Sequence, residues 1–121
     1  MTEEMLAKAR ATIAEYLGKS SAVSTSSDDY EKITIGTLFG EIWSRPGLAW
    51  RDRSLITLTT LIVQGHTNEL KHHLVGAKRL GFTLQQIEEI CLHLGCYVGF
   101  HVAHAAVQVA RATFAEGDSR A

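Results

Sequence analysis

The stretch "VQGHTNELKHHLVGA", residues 63–77, sets His66, Glu69, His72 and His73 close together in an otherwise apolar neighbourhood. A carboxylate beside a sheltered imidazole can pass a proton near neutral pH, because partial burial raises the carboxyl pKa and the partner fixes the imidazole tautomer. At about 100° per residue, the apolar stripe of a helix here centres on Leu70, Leu74 and Ala77, and His73 falls within roughly 40° of that centre. Glu69 lies one turn earlier. If the helical phase extends back to His66, all three side chains project in one column, while His72 points toward the boundary or solvent. The same Glu69/His73 spacing also suits an ordinary surface hydrogen bond.

A metal reading competes with proton transfer. Glu69-x-x-His72 has the Glu-x-x-His spacing of carboxylate-bridged metal sites in helical bundles, and His101-x-x-His104 would add two nitrogen ligands. The remaining carboxylates, Glu88 and Glu89, fall on the opposite side of their helix from Leu94, so no metal is assigned. Cys91 and Cys96 are five apart, a spacing that suits neither a disulfide framework nor a cysteine zinc knuckle, and both read as buried free thiols.

Helices must position these groups. Apolar residues recur at helical period, and the regular turn clusters of a sandwich or barrel are missing, which predicts an all-α fold. A first helix starts near Thr2 and ends at Gly18, followed by the linker "KSSAVSTSS". Asp28 with Glu31 resembles a capping pair for a second helix through about Trp43, stopped by Pro46. "RDRSLITLTTLIVQG", 51–65, is rich in Ile, Thr and Val, yet fifteen residues without a turn signal favour a buried helix. Thr67 is expected to cap a helix to Leu80, closed by Gly81, and Thr83 with Gln86 to open another by a capping box. Gly99 is a candidate interruption; a helix unbroken there would carry His101 on the stripe of Leu94 and Val98. A last helix, roughly 101–116, ends at Gly117 and leaves "DSRA" as a tail.

The chain has 121 residues, 45% of them hydrophobic, enough to fill one core, which predicts a single domain. Twelve basic residues against 13 acidic give a formal charge of −1, and the basic residues form no stripe, which argues against nucleic acid as a partner. No segment has the length of a membrane span and the N-terminus is too polar for a signal peptide, so a soluble cytoplasmic protein is expected.

Four blocks in order, "FGEIWSRPGL" (39–48), "RDRSLITLTTL" (51–61), "NELKHHLVGAKRLGFTLQQIEEI" (68–90) and "YVG" (97–99), resemble the carboxymuconolactone decarboxylase family, which shares its fold with alkylhydroperoxidase-like proteins. The resemblance implies an all-α, single-domain bundle of about six helices. Residues 1–27 would be an N-terminal helix and linker, 28–117 the family core and 118–121 a tail. It also implies a homo-oligomer, trimer or hexamer, with active sites near subunit contacts. The reactive cysteines of the alkylhydroperoxidase-like Cys-x-x-Cys-x-x-x-His motif are replaced by His66 and Glu69, while His73 matches its histidine, so thiol peroxidase chemistry is not expected.

Family decarboxylases remove carbon dioxide without metal or organic cofactor. By resemblance, Glu69 and His73 would move the proton and His66 would join them. Arg53 would anchor an acidic small-molecule substrate, because a guanidinium grips a carboxylate bidentately. Arg45, His101, Trp43 and Tyr97 complete the candidate substrate-binding residues. The sequence departs from the family where Asn68 precedes Glu69 and where His101 and His104 follow "YVG", which points to an altered pocket. Three functions remain open: a cofactor-independent lyase or isomerase, a His/Glu metal enzyme, and a non-catalytic ligand-binding scaffold.

Overall fold

The computed structural model describes residues 1–25 and 28–116, all of them in helices or the turns joining them. The chain divides into two compact units, Met1–Trp50 and a second beginning at Arg51. In the first, the Thr2 hydroxyl accepts a hydrogen bond from the Met5 amide at 3.1 Å and starts α1 (Glu3–Leu17), which Gly18 ends at φ 96°. The Asp28 carboxylate accepts from the amides of Tyr30 (2.7 Å) and Glu31 (3.4 Å), satisfying two donors that the first turn of α2 (Asp29–Ile35) leaves open.

From Gly36 to Ile42 the chain winds as a π-helix instead of the uniform α-helix expected through Trp43. The Trp43 amide donates to the carbonyl of Leu38, five residues back, at 2.9 Å. The wider turn keeps Phe39 and Trp43 both turned inward, at 1% and 2% exposure, against the fully buried Tyr16. Tyr16 and Trp43 have ring centroids 4.3 Å apart, and the Trp50 indole donates to the Trp43 carbonyl at 2.7 Å. Gly40 permits this packing, since a Cβ on it would collide with the Met5 carbonyl oxygen of α1. Gly40→Ala is therefore expected to destabilise the protein by about 1–3 kcal/mol. Gly47→Ala, which meets open space, should stay within about 0.5 kcal/mol. Urea denaturation of the two variants checks the contrast.

The second unit holds α3 (Trp50–Gln64) from its second residue onward, α4 (Thr67–Arg79), α5 (Leu84–Val98) and α6 (Phe100–Ala115). The β-prone α3 is a helix, as its length predicts. Thr57, Thr59 and Thr60 send their hydroxyls back to the carbonyls of Arg53, Leu55 and Ile56, so the threonines are satisfied without a strand partner. Leu58, Leu70, Leu74, Ile87 and Cys91 build the core with the small residues Ala103, Ala106 and Ala110 of α6. The Arg51 guanidinium lies 3.9 Å from the centre of the Phe82 ring and donates to the Leu80 carbonyl and the Gln86 side chain, tying the start of α3 to the α4–α5 turn.

The expected Thr83/Gln86 capping box is present in both directions, at 3.1 and 3.0 Å. Thr67, by contrast, is not a cap: it is the first helical residue, and His66 occupies the capping position without a side-chain hydrogen bond. Gly99, at φ 101°, breaks the helix and turns the chain back, so α6 runs antiparallel to α5 and joins it through an Arg111–Glu88 ion pair of 2.9 Å. His101 is consequently not on the stripe of Leu94 and Val98, which would have required one unbroken helix. Gly117, the "DSRA" tail and Ser26–Ser27 of the linker lie outside the described residues. Among those described, no helix is long and apolar enough to cross a membrane.

Candidate active site

α4 positions the proton-transfer candidates. Its buried stripe of Leu70, Leu74 and Ala77 orients the helix, and this leaves His73 half-buried at one flank and Glu69, a turn earlier, exposed. Glu69 belongs to the first turn, where unpaired amides and the helix dipole favour a carboxylate. The column does not extend to His66, whose ψ of 77° is not helical. His66 is exposed, and its backbone bridges α3 and α4, donating to the Leu61 carbonyl at 3.0 Å and accepting from the Leu70 amide at 2.9 Å.

Burial pushes the His73 pKa down from 6.5 to about 4; the neighbouring His72 adds to the effect and the Glu69 charge opposes it. His73 is thus a neutral imidazole near pH 7, with one nitrogen to donate and one to accept. His72 is half-buried beside it, at the boundary where its helical phase placed it, with its Nδ1 shielded from solvent. Arg53, on the first turn of α3, is also half-buried, with its Nε shielded from solvent.

The other candidates fall elsewhere. Trp43 is packed into the aromatic cluster of the first unit, and Arg45 is exposed in the turn that follows, its amide donating to the Ile42 carbonyl at 3.2 Å. Tyr97 is 77% exposed and leans on His93, ring centroids 5.4 Å apart. His101 lines an open groove of about 810 Å³ along α5 and α6 with His104, Glu88, Glu89 and Arg111; neither Glu69 nor His73 lines it. Glu88 and Glu89, set aside on helical phase, share this groove with the two histidines. Even so, no group of three or more His, Cys, Asp or Glu among the described residues is arranged to hold a metal ion.

Two polar features escaped the sequence reading. Ser54 is fully buried on the α3 stripe it shares with Leu58 and Ile62, a placement its i, i+4, i+8 spacing signals. The α5–α6 groove follows from the reversal at Gly99, which the sequence offered only as a possible interruption. The cysteines divide: Cys91 is buried, with burial pushing its thiol up to about 11, while Cys96 is exposed instead of buried as expected. In the native protein at pH 8 a thiol-reactive dye should label Cys96 within minutes and reach Cys91 only after denaturation, which mass spectrometry of the labelled peptides resolves.

Residues 28–112 match the family model described as the carboxymuconolactone decarboxylase family. The chain is 35% identical over 86 residues to a 4-carboxymuconolactone decarboxylase of Acinetobacter baylyi, a match covering 71% of this chain and 64% of that protein. It is 43% identical over 61 residues to a nitrosuccinic acid decarboxylase of Metarhizium robertsii, covering 50% of this chain and 43% of the relative. The chain thus spans less than two thirds of the length of either relative. With 28–112 matching the family model and Glu69 and His73 on one flank of α4, the chain belongs to the carboxymuconolactone decarboxylase family.

Proposed function

We propose that the protein is a cofactor-independent lyase that decarboxylates a small acidic or lactone-like metabolite, with Glu69 and His73 managing the proton. In such a reaction the bond to the departing carboxylate breaks, its electron pair moves into an adjacent acceptor such as a carbonyl or nitro group, and a proton from water is delivered to carbon. A neutral His73 suits this chemistry: one ring nitrogen can donate to the developing negative charge while the other takes part in proton relay with Glu69. Arg53 holds a carboxylate that stays on the substrate. His66 borders the site at the start of α4. The observation that carries this reading is the half-buried, neutral His73 one turn from Glu69, in a chain whose named relatives are decarboxylases of organic acids.

The working protein is a homo-oligomer. Ile56, Leu92, Phe100 and Tyr97 are each more than half exposed in the single chain, apolar surface that a subunit contact would cover. Offering the purified protein 4-carboxymuconolactone, nitrosuccinic acid and related acids, with carbon dioxide release followed continuously, tests the reading. Catalysed release from at least one acid is expected; ligand binding without release would favour the non-catalytic scaffold.

A further inference from the structure

Glu69-x-x-His72, the spacing that also suits a pair of metal ligands, has another use at the flank of α4. At about 100° per residue, Glu69 projects between the two imidazoles that follow one turn later, about 60° from His72 and about 40° from His73. Separations of three and of four residues both make side chains neighbours on a helix surface, so this carboxylate is within reach of either ring. The three groups differ in freedom. Glu69 is exposed in the first turn, whereas both rings are half-buried and His72 has its Nδ1 shielded from solvent. His72 also shares its side of α4 with the buried Val75 and Gly76, three and four residues on. The fields of His72 and Glu69 both reach His73, where they act in opposite senses, so the three form one electrostatic cluster. An exposed glutamate samples many rotamers, and only some of them aim its carboxylate at His73. Proton transfer needs that aim to be fixed.

We propose that His72 is a positioning residue for Glu69: its imidazole donates through Nε2 to one carboxylate oxygen and so turns the other oxygen toward His73. A carboxylate has two accepting oxygens and a neutral imidazole has one N–H, so a single carboxylate serves both rings at once. The two rings then have separate tasks. His73 takes part in the proton relay, while His72 moves no proton, touches no substrate and acts only through Glu69. Its partly sheltered ring supplies the fixed geometry that an exposed glutamate side chain lacks. This role rests on the decarboxylase reading for its purpose, and it is tested both with and without turnover.

His72→Phe keeps a ring and removes the N–H, whereas His72→Gln keeps a donor. With carbon dioxide release from an accepted acid as the readout, His72→Phe should lower kcat by about 10- to 100-fold, the weight of one hydrogen bond to a charged group. KM should stay within about twofold, and His72→Gln should recover most of the lost kcat. In a Glu69→Ala background His72→Phe should cost nothing more, because the group it holds is gone. An unchanged kcat in His72→Phe, no recovery in His72→Gln, or an equal loss in both backgrounds would overturn the assignment. Nitrogen-15 NMR of the imidazole rings needs no substrate. It should show the His72 proton on Nε2 in the wild-type protein and a shift of that signal in Glu69→Ala. A His72 ring that does not respond to Glu69→Ala overturns the positioning role even where His72→Phe fails to fold. A wild-type protein that releases no carbon dioxide from any acid offered, but shows that response, sinks the decarboxylase reading and leaves the pairing of His72 with Glu69 standing.

Discussion

Replacing either His73 or Glu69 with alanine is expected to lower kcat on an accepted acid by about 100- to 10,000-fold, the usual range for removing a positioned acid or base. KM should change far less, because neither group is assigned the task of gripping the substrate's retained carboxylate. That task falls to Arg53, so Arg53→Ala should mainly raise KM. The fold should tolerate the alanines: Glu69 is exposed and His73 sits at the flank of the buried stripe, not in it. Thermal melts separate lost catalysis from lost structure. A scaffold that merely kept the family fold would show no such division between kcat and KM.

A second large effect concerns acid. His73 has a pKa of about 4 in the folded protein against 6.5 when unfolded. Between these values the unfolded chain takes up a proton at this position and the native chain does not, so stability falls as pH drops through that window and is complete above it. At 1.36 kcal/mol per pKa unit the full shift corresponds to about 3 kcal/mol, and partial exposure of the ring trims this to roughly 2 kcal/mol. Urea denaturation between pH 7 and 4.5 should show the decline. In His73→Gln, which cannot titrate, the slope should be shallower by that amount. The same shift predicts that kcat holds from pH 8 down to about 5, whereas an ordinary surface histidine would lose its neutral form near 6.5.

The helices were legible wherever one local signal dominated. Thr83 and Gln86 form the reciprocal cap their spacing announces, and α3 is helical because its fifteen residues contain no turn signal to break them. Glu69 and His73 were legible as neighbours because the i, i+4 relation needs only the helix itself. His66 was misplaced because its position depends on where α4 begins, and that is fixed by the backbone bridge between Leu61 and Leu70, not by a side-chain cap. The π-helix was invisible for a similar reason: it depends on Gly40 meeting the Met5 carbonyl, a contact between residues far apart in sequence. His101 lies off the stripe that an unbroken helix would have given it, because the chain reverses at the positive φ of Gly99. Burial was the least legible property, as the opposite environments of Cys91 and Cys96 illustrate.

The central claim is that Glu69 and His73 act as one proton-handling unit, and the double variant Glu69→Ala/His73→Ala tests it most directly. With carbon dioxide release from one accepted acid as the readout, the double variant should fall no further than the more impaired single variant, since a unit is disabled once by losing either member. Turnover close to wild type in the double variant, with the fold and assembly intact, would contradict the account.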